Sequence, residues 1–295
     1  MSDWRGEGVS VAEVERRLAE LEHSHEHDGG HDLRTSVLTH VAWVPGDWER
    51  AALDVLEGLG DRHPSRALLL LPQPDAGEDR IDAELELRCS CPPGTNQHLC
   101  SELIELRLLG RRSVAPASIV APLVIPDLPV FLRWRGRPHF GEDAFEAMLE
   151  LVDRFIVDSA EWEQLPGPYA DWQGCFERAS CSDIAWRRTE RWRGALARLW
   201  PGIAELSELR VLGPLADALL LAGWLRSRLD RDVDLVHEPA AELEAVAVDG
   251  DDVEEPHEPA PSPSDLLSDE LDELRRDEVY ERAVAATAPE LVSAG

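Results

Sequence analysis

The chain has 295 residues, 43% of them hydrophobic, with a formal net charge of -30 and not one lysine. That balance excludes clustered positive charge for nucleic acid and disfavours an anionic membrane surface. The missing lysine also excludes Schiff-base chemistry and a P-loop.

In chain order, Ser10-Val11-Ala12-Glu13 reads as a capping box opening a short amphipathic helix on Val11, Val14, Leu18 and Leu21. His23 to His31 reads as a polar linker. Residues 1–33 are thus a helix and a His-rich linker. Thr35 to Val44 alternates as a strand. Asp47 caps a predicted helix from Trp48 to Leu59, stopped by Gly60, and Arg66 to Leu71 is the continuous apolar run of a buried strand. This order predicts a parallel crossover. Ile81 to Cys89 and Leu99 to Leu109 follow as a long-looped antiparallel hairpin. A helical turn over Ala115 to Leu123, a strand over Pro129 to Trp134, a helix over Asp143 to Leu151 and a strand over Phe155 to Val157 complete a mixed α/β domain, 34–162.

A second, smaller and helix-rich α/β domain is expected over 163–248. Asp183 caps a helix running to Leu199, Leu209 to Leu212 is a strand, and Leu215 to Leu229 is too apolar for a surface helix. Weak strands follow at Val233 to Val236 and Leu243 to Val248. Residues 249–263 read as an acidic disordered linker. Residues 264–295 carry a closing helix, Ser264 to Ala286, whose Leu267, Leu271, Leu274 and Val279 suit docking on the second domain.

No run of about 18 apolar residues suggests a membrane span, and no signal peptide is read at the start. Five cysteines fit a reducing cytoplasm. Cys89, Cys91, His98 and Cys100 could surround zinc, act as a redox thiol pair, or be free thiols at a hairpin end; no metal is assigned. Cys175 and Cys181 read as unpaired thiols, and the four histidines from His23 to His31 as a solvated stretch. His63, Ser65 and Arg66 are candidates for holding an anion, or a turn that starts the strand. Arg133-Trp134-Arg135 and the Trp186, Arg187, Arg188, Trp192 island are either interface anchors or core tryptophans with solvated arginines. Motifs of dinucleotide binding, serine hydrolysis, zinc proteolysis and calcium loops are missing.

Several ordered pieces carry a resemblance: Arg34-Thr35-Ser36-Val37-Leu38-Thr39, His63-Pro64-Ser65-Arg66, Cys100-Ser101-Glu102-Leu103-Ile104, and Pro129 to Gly136. Arg154-Phe155-Ile156-Val157-Asp158-Ser159-Ala160, Asp183-Ile184-Ala185-Trp186 to Trp192-Arg193, Leu221-Ala222-Gly223-Trp224-Leu225 and the Leu266 to Val284 helix follow. Together they resemble the OpcA family of glucose-6-phosphate dehydrogenase assembly proteins over about residues 10 to 286. The resemblance implies a non-catalytic cytoplasmic partner, without cofactor, that promotes the active oligomer of the NADP-dependent dehydrogenase at the entry to the pentose phosphate pathway. The rival reading is a sugar-phosphate-binding enzyme or sensor of α/β type, built on His63, Ser65, Arg66 and Asp158-Ser159 at a strand end.

Overall fold

The computed structural model describes residues 2–26, 32–33, 36–59, 62–90 and 98–287. The chain divides into two compact units, Met1–Phe155 with Leu267–Asp272, and Ile156–Leu266 with Glu273–Gly295. Both contain strands and helices, so the expected mixed α/β class is what the molecule adopts.

The first unit runs β1 (Ser2–Gly6), α1 (Val11–Glu26), β2 (Asp32–Leu33), β3 (Leu38–Trp43), α2 (Glu49–Leu59), β4 (Ser65–Gln73), β5 (Ile81–Ser90), β6 (His98–Leu109), α3 (Pro116–Val120), β7 (Val130–Trp134) and α4 (Asp143–Leu151). Its strands lie in the order β1-β5-β6-β4-β3-β7, with β2 on β6. β6, β4, β3 and β7 are mutually parallel, and β5 and β6 form the expected antiparallel hairpin. β3 and β7 are buried at every residue, as are Leu68 to Leu71 of β4. Central parallel strands covered on both faces need apolar runs rather than alternation. One cover is α2, which brings Ala52 into a cluster with Ala42, Val44, Leu69, Leu71 and Leu103. On β5, which lies beyond β6, alternation returns: Ile81, Ala83, Leu85 and Leu87 are buried between half-exposed charges.

Two differences from the sequence reading arise here. β1 has one large apolar residue, Trp4, and no strand signal of its own; it exists through antiparallel pairing with β5, Trp4 opposite Leu85. The first helix starts where the capping box predicts, with Ser10 Oγ accepting from Glu13 N at 3.2 Å, but continues through His23 to Glu26.

β8 (Arg154–Val157) carries the chain across the division, and its neighbour in the second unit is β9 (Ser180–Asp183). Between them lies α5 (Pro168–Gln173), a helix the sequence reading missed. The single helix expected from Asp183 to Leu199 is two, α6 (Ile184–Arg188) and α7 (Glu190–Ala197). Thr189 sits at the break and donates its hydroxyl to the Trp186 carbonyl at 2.8 Å, a local bond that competes with helix continuation. Next come β10 (Glu208–Gly213), α8 (Leu215–Leu229), β11 (Asp234–Pro239), β12 (Ala245–Val248) and β13 (Asp251–Asp252), forming a sheet in the order β11-β10-β12-β13.

The acidic stretch after Val248 therefore opens with a hairpin. Asp249 and Gly250 have φ of 50° and 91°, and Val248 pairs with Asp251 across them. An Asp-Gly pair supplies the two positive φ values that a type I′ turn needs. The closing helix is also two, α9 (Pro263–Leu271), which crosses the division at Leu267, and α10 (Glu278–Ala285) in the second unit. α10 packs on α8 at Gly223, where a Cβ would stand 2.2 Å from the Ala283 carbonyl oxygen. Among the described residues no helix is long and apolar enough to cross a membrane.

Candidate functional site

A buried polar assembly lies in the second unit, around Arg188 at the end of α6. Its guanidinium donates to Asp158 at 3.0 and 3.2 Å and to Asp217 at 2.9 and 3.0 Å, engaging both carboxylates with two bonds each. Asp217 has no exposed surface and stands in the first turn of apolar α8. Burial pulls Arg188 down, but Asp158 and Asp217 outweigh it and hold the guanidinium above the usual arginine value. Burial pushes Asp217 up to about 6, with Arg188 pulling against it. At neutral pH Asp217 is therefore ionised opposite an arginine that keeps its proton.

Asp183 is the second centre. It caps α6 by accepting from Ala185 N at 2.9 Å, as the sequence predicts, and the same oxygen accepts from Ser159 N at 3.0 Å. Tyr280 Oη donates to its other oxygen at 3.4 Å while accepting from Trp172 Nε1 at 2.7 Å. Ser159 Oγ and Tyr169 Oη are 2.8 Å apart. Burial first, then the nearby Asp158, pushes Asp183 up to about 7. The same burial and the Asp183 charge raise both tyrosines, which stay neutral phenols. A carboxyl titrating near 7 suits proton transfer, yet Asp183 is fully buried and its bonds are all internal. The assembly locks β9, α6, α8 and α10 together.

The Trp-Arg island is part of that lock. Trp186 is 4% exposed; its Nε1 donates to Asp277, which also caps α10 through Val279 N and Tyr280 N. Arg193 lies 3.4 Å over the Trp186 ring, and burial lowers its pKa to about 10. Trp192 is 2% exposed and belongs to the core with Leu221, Leu225 and Val246. Arg187 pairs with Glu190 at 3.3 Å. Of the island, Trp186 and Arg188 are bonded within the unit and Trp192 is packed in its apolar core, so none of the three lies on an open face.

The first-unit candidates have similar fates. Arg133 and Trp134 are each 2% exposed; Trp134 stacks on Trp43 at 4.8 Å. Arg133 donates to the Trp134 carbonyl, and Arg135 lies 5.5 Å over Trp48. β7 is covered on both faces, so flanking charges gave no sign of which side chains stay wet. Arg66 is held by Glu102, by Glu22 and by the Leu123 carbonyl, so two carboxylates already answer its charge. Ser65 is half-buried at the start of β4, opposite Leu38.

His63 lies 2.7 Å from Ser268 Oγ through Nε2 and 3.9 Å from Asp272 Oδ1 through Nδ1. The atoms follow the order of a hydrolase triad, but Ser268 is buried within α9 and Asp272 is 73% exposed beyond hydrogen-bond distance. The contact pins the Leu267–Asp272 segment to its unit, as does the buried pair of Arg154 and Glu270 at 2.5 Å.

Cys100 is buried and disulfide-bonded, which replaces the free thiol that the hairpin position suggested. The side chains of Cys89, Cys91 and His98 lie outside the described residues, and among the described residues no group of three or more His, Cys, Asp or Glu is arranged for a metal. Cys175 and Cys181 are buried thiols outside any disulfide. Sequence reasoning passed over Asp217, Tyr169 and Tyr280. Asp217 had a signal: a carboxylate inside an otherwise apolar helix needs a buried partner. The tyrosines had none.

Residues 57–172 match the family described as glucose-6-phosphate dehydrogenase subunit N-terminal domain, and residues 179–258 match the corresponding C-terminal domain. Among curated relatives, OpcA of Synechococcus elongatus is 24% identical over 209 residues, 67% of this chain and 43% of that protein. OpcA of Nostoc punctiforme is 26% identical over 181 residues, 57% and 38% of the two chains. OpcA of Synechocystis sp. is 25% identical over 191 residues, 59% and 39%. All three are named for the OxPP cycle. The chain thus spans about two fifths of the length of the curated relatives it matches.

Proposed function

Because this chain belongs to the OpcA family of glucose-6-phosphate dehydrogenase assembly proteins, we propose that it is a non-catalytic assembly factor and allosteric activator of that dehydrogenase. In this role it works in the cytoplasm, binds no nucleic acid or membrane, and supports the oxidative pentose phosphate pathway and its NADPH supply. The observation that carries the reading is the match of both family domains in order along one chain, 57–172 and 179–258. The interior chemistry supports it. Asp183, whose carboxyl burial pushes up to about 7, is buried within its own fold, and in the Ser268, His63 and Asp272 trio the carboxylate stands beyond hydrogen-bond distance of the histidine. The anion-binding alternative loses its main support with Arg66 committed to Glu102 and Glu22.

An assembly factor shifts its partner by binding one state better than another, and the shift is limited by that difference in affinity. The test is to measure the oligomeric state of purified glucose-6-phosphate dehydrogenase by light scattering, and its turnover, with and without this chain. A move to a larger species with a rise in activity is expected. An unchanged size distribution and rate would overturn the proposal.

A further inference from the structure

The chain has ten tryptophans, all among the described residues, and Trp200 alone is exposed, at 66%. It stands on the turn after α7, where the six residues from Ala197 to Gly202 are all exposed and Leu199 is 39% exposed. The turn is fixed, not loose. Leu199 N bonds to Leu196 O, Trp200 N to Ala197 O, Ile203 N to Leu199 O and Ala204 N to Pro201 O. Leu196 and Ile203, on either side, are buried in the core of the unit. A large aromatic held outward in a fixed geometry loses little conformational freedom on binding.

Charge narrows the occupant. Ile184 to Trp200 contains five arginines and one acidic residue, Glu190, in a chain whose net charge is -30. Arg188 is matched by Asp158 and Asp217, Arg187 by Glu190, and Arg193 lies on Trp186. Arg198, next to Leu199 and Trp200, is exposed. Two copies of so acidic a chain repel, which disfavours a second copy as the occupant.

We infer that Arg198-Leu199-Trp200 is the anchor of a protein interface, and that its occupant is an apolar socket bordered by carboxylates on a different protein. Resting on the assembly-factor reading above, that protein is the dehydrogenase. Truncating a central aromatic anchor weakens binding on the order of 30-fold or more, and reversing a charge at the border slows association and removes part of the salt dependence.

The experiment is titration of purified glucose-6-phosphate dehydrogenase with the full chain and with Trp200→Ala, Arg198→Glu and, as a control, Val114→Ala. Val114 is 60% exposed in the other unit. Circular dichroism checks that each variant is folded, and light scattering of each chain alone reads self-association. Expected are a loss of about 30-fold in affinity for Trp200→Ala, slower association for Arg198→Glu, and no change for Val114→Ala. Equal binding by wild type and folded Trp200→Ala would overturn this inference while leaving the assembly role standing. A wild-type chain that self-associates through Trp200 would also overturn it, since the occupant would be a second copy. A wild-type chain that does not bind the dehydrogenase would overturn both.

Discussion

In the first unit a buried histidine is kept neutral, whereas in the second a buried arginine is kept charged between two carboxylates. His40 on central β3 is 2% exposed, and its Nε2 has no partner among the described residues. Burial first, with Arg133, His63 and Arg135 adding to it, lowers its pKa to about 4. The second unit spends its polar groups on a network around Arg188 and Asp183, and there burial moves the carboxyls upward. On β3, hydrogen-bonded to a parallel strand on each side, the ring of His40 leaves Nε2 without a partner among the described residues. Short helices meeting at their ends offer backbone N–H groups and caps. The two interiors should therefore respond to pH in opposite senses.

The strongest way to break that contrast is to remove the arginine. Arg188→Ala removes the cation that bridges Asp158 and Asp217 and should destabilise the second unit by about 3–5 kcal/mol. Urea unfolding followed by hydrogen exchange of α8 peptides would read the loss there, with β3 and β4 much less affected.

The pH responses come next. For His40, the unfolded chain takes a proton as pH falls through 6.5 and the folded one does not until about 4. Stability is thus full above 6.5 and falls with acid, by about 1.4 kcal/mol per pH unit within that window. His40→Leu should flatten this decline in urea melts of the first unit. Asp183 has the reverse sign. Both states are protonated below 3.8, and between 3.8 and about 7 the unfolded chain ionises first. Its contribution is present in acid and is lost as pH rises through that window. Asp183→Asn keeps an oxygen for Ser159 N and Ala185 N and should remove this component from melts of the second unit between pH 5 and 7.5. If both variants change the slope of the profile in the same direction across this range, the contrast fails.

A smaller effect sharpens the packing side. Gly223→Ala would push a methyl against the Ala283 carbonyl, so α10 must shift on α8. A cost of about 1–3 kcal/mol is expected, seen as a lower melting temperature and faster exchange along α10.

How much of this the sequence carried depends on whether the signal was local. The β3-α2-β4 crossover follows from an apolar run too continuous for a one-faced strand, and the α6 cap at Asp183 from a single side chain before an apolar helix start. Neither shows that Asp183 also holds Ser159, 24 residues back, because that bond depends on where β8 delivers the chain. The Trp-Arg island depends on the same kind of long-range placement. Trp186 and Trp192 fall on two helices, not one, and each is covered by a different set of residues. Asp249-Gly250 was legible as a hairpin, but the acidic composition around it spoke louder than the turn chemistry.

The stretch from Leu267 to Ala285 has a consequence for the order in which the molecule can be completed during synthesis. In the first unit, Ser268 and Glu270 meet His63 and Arg154. In the second, Asp277 and Tyr280 meet Trp186, Trp172 and Asp183. Until this stretch is made, His63, Arg154, Trp172 and Asp183 lack these partners, which lie 97 to 205 residues further along the chain. Domains commonly finish from the N-terminus onward as they emerge. Here both units wait on the same late segment, and a chain stalled near Leu266 would expose the interior polar groups of both.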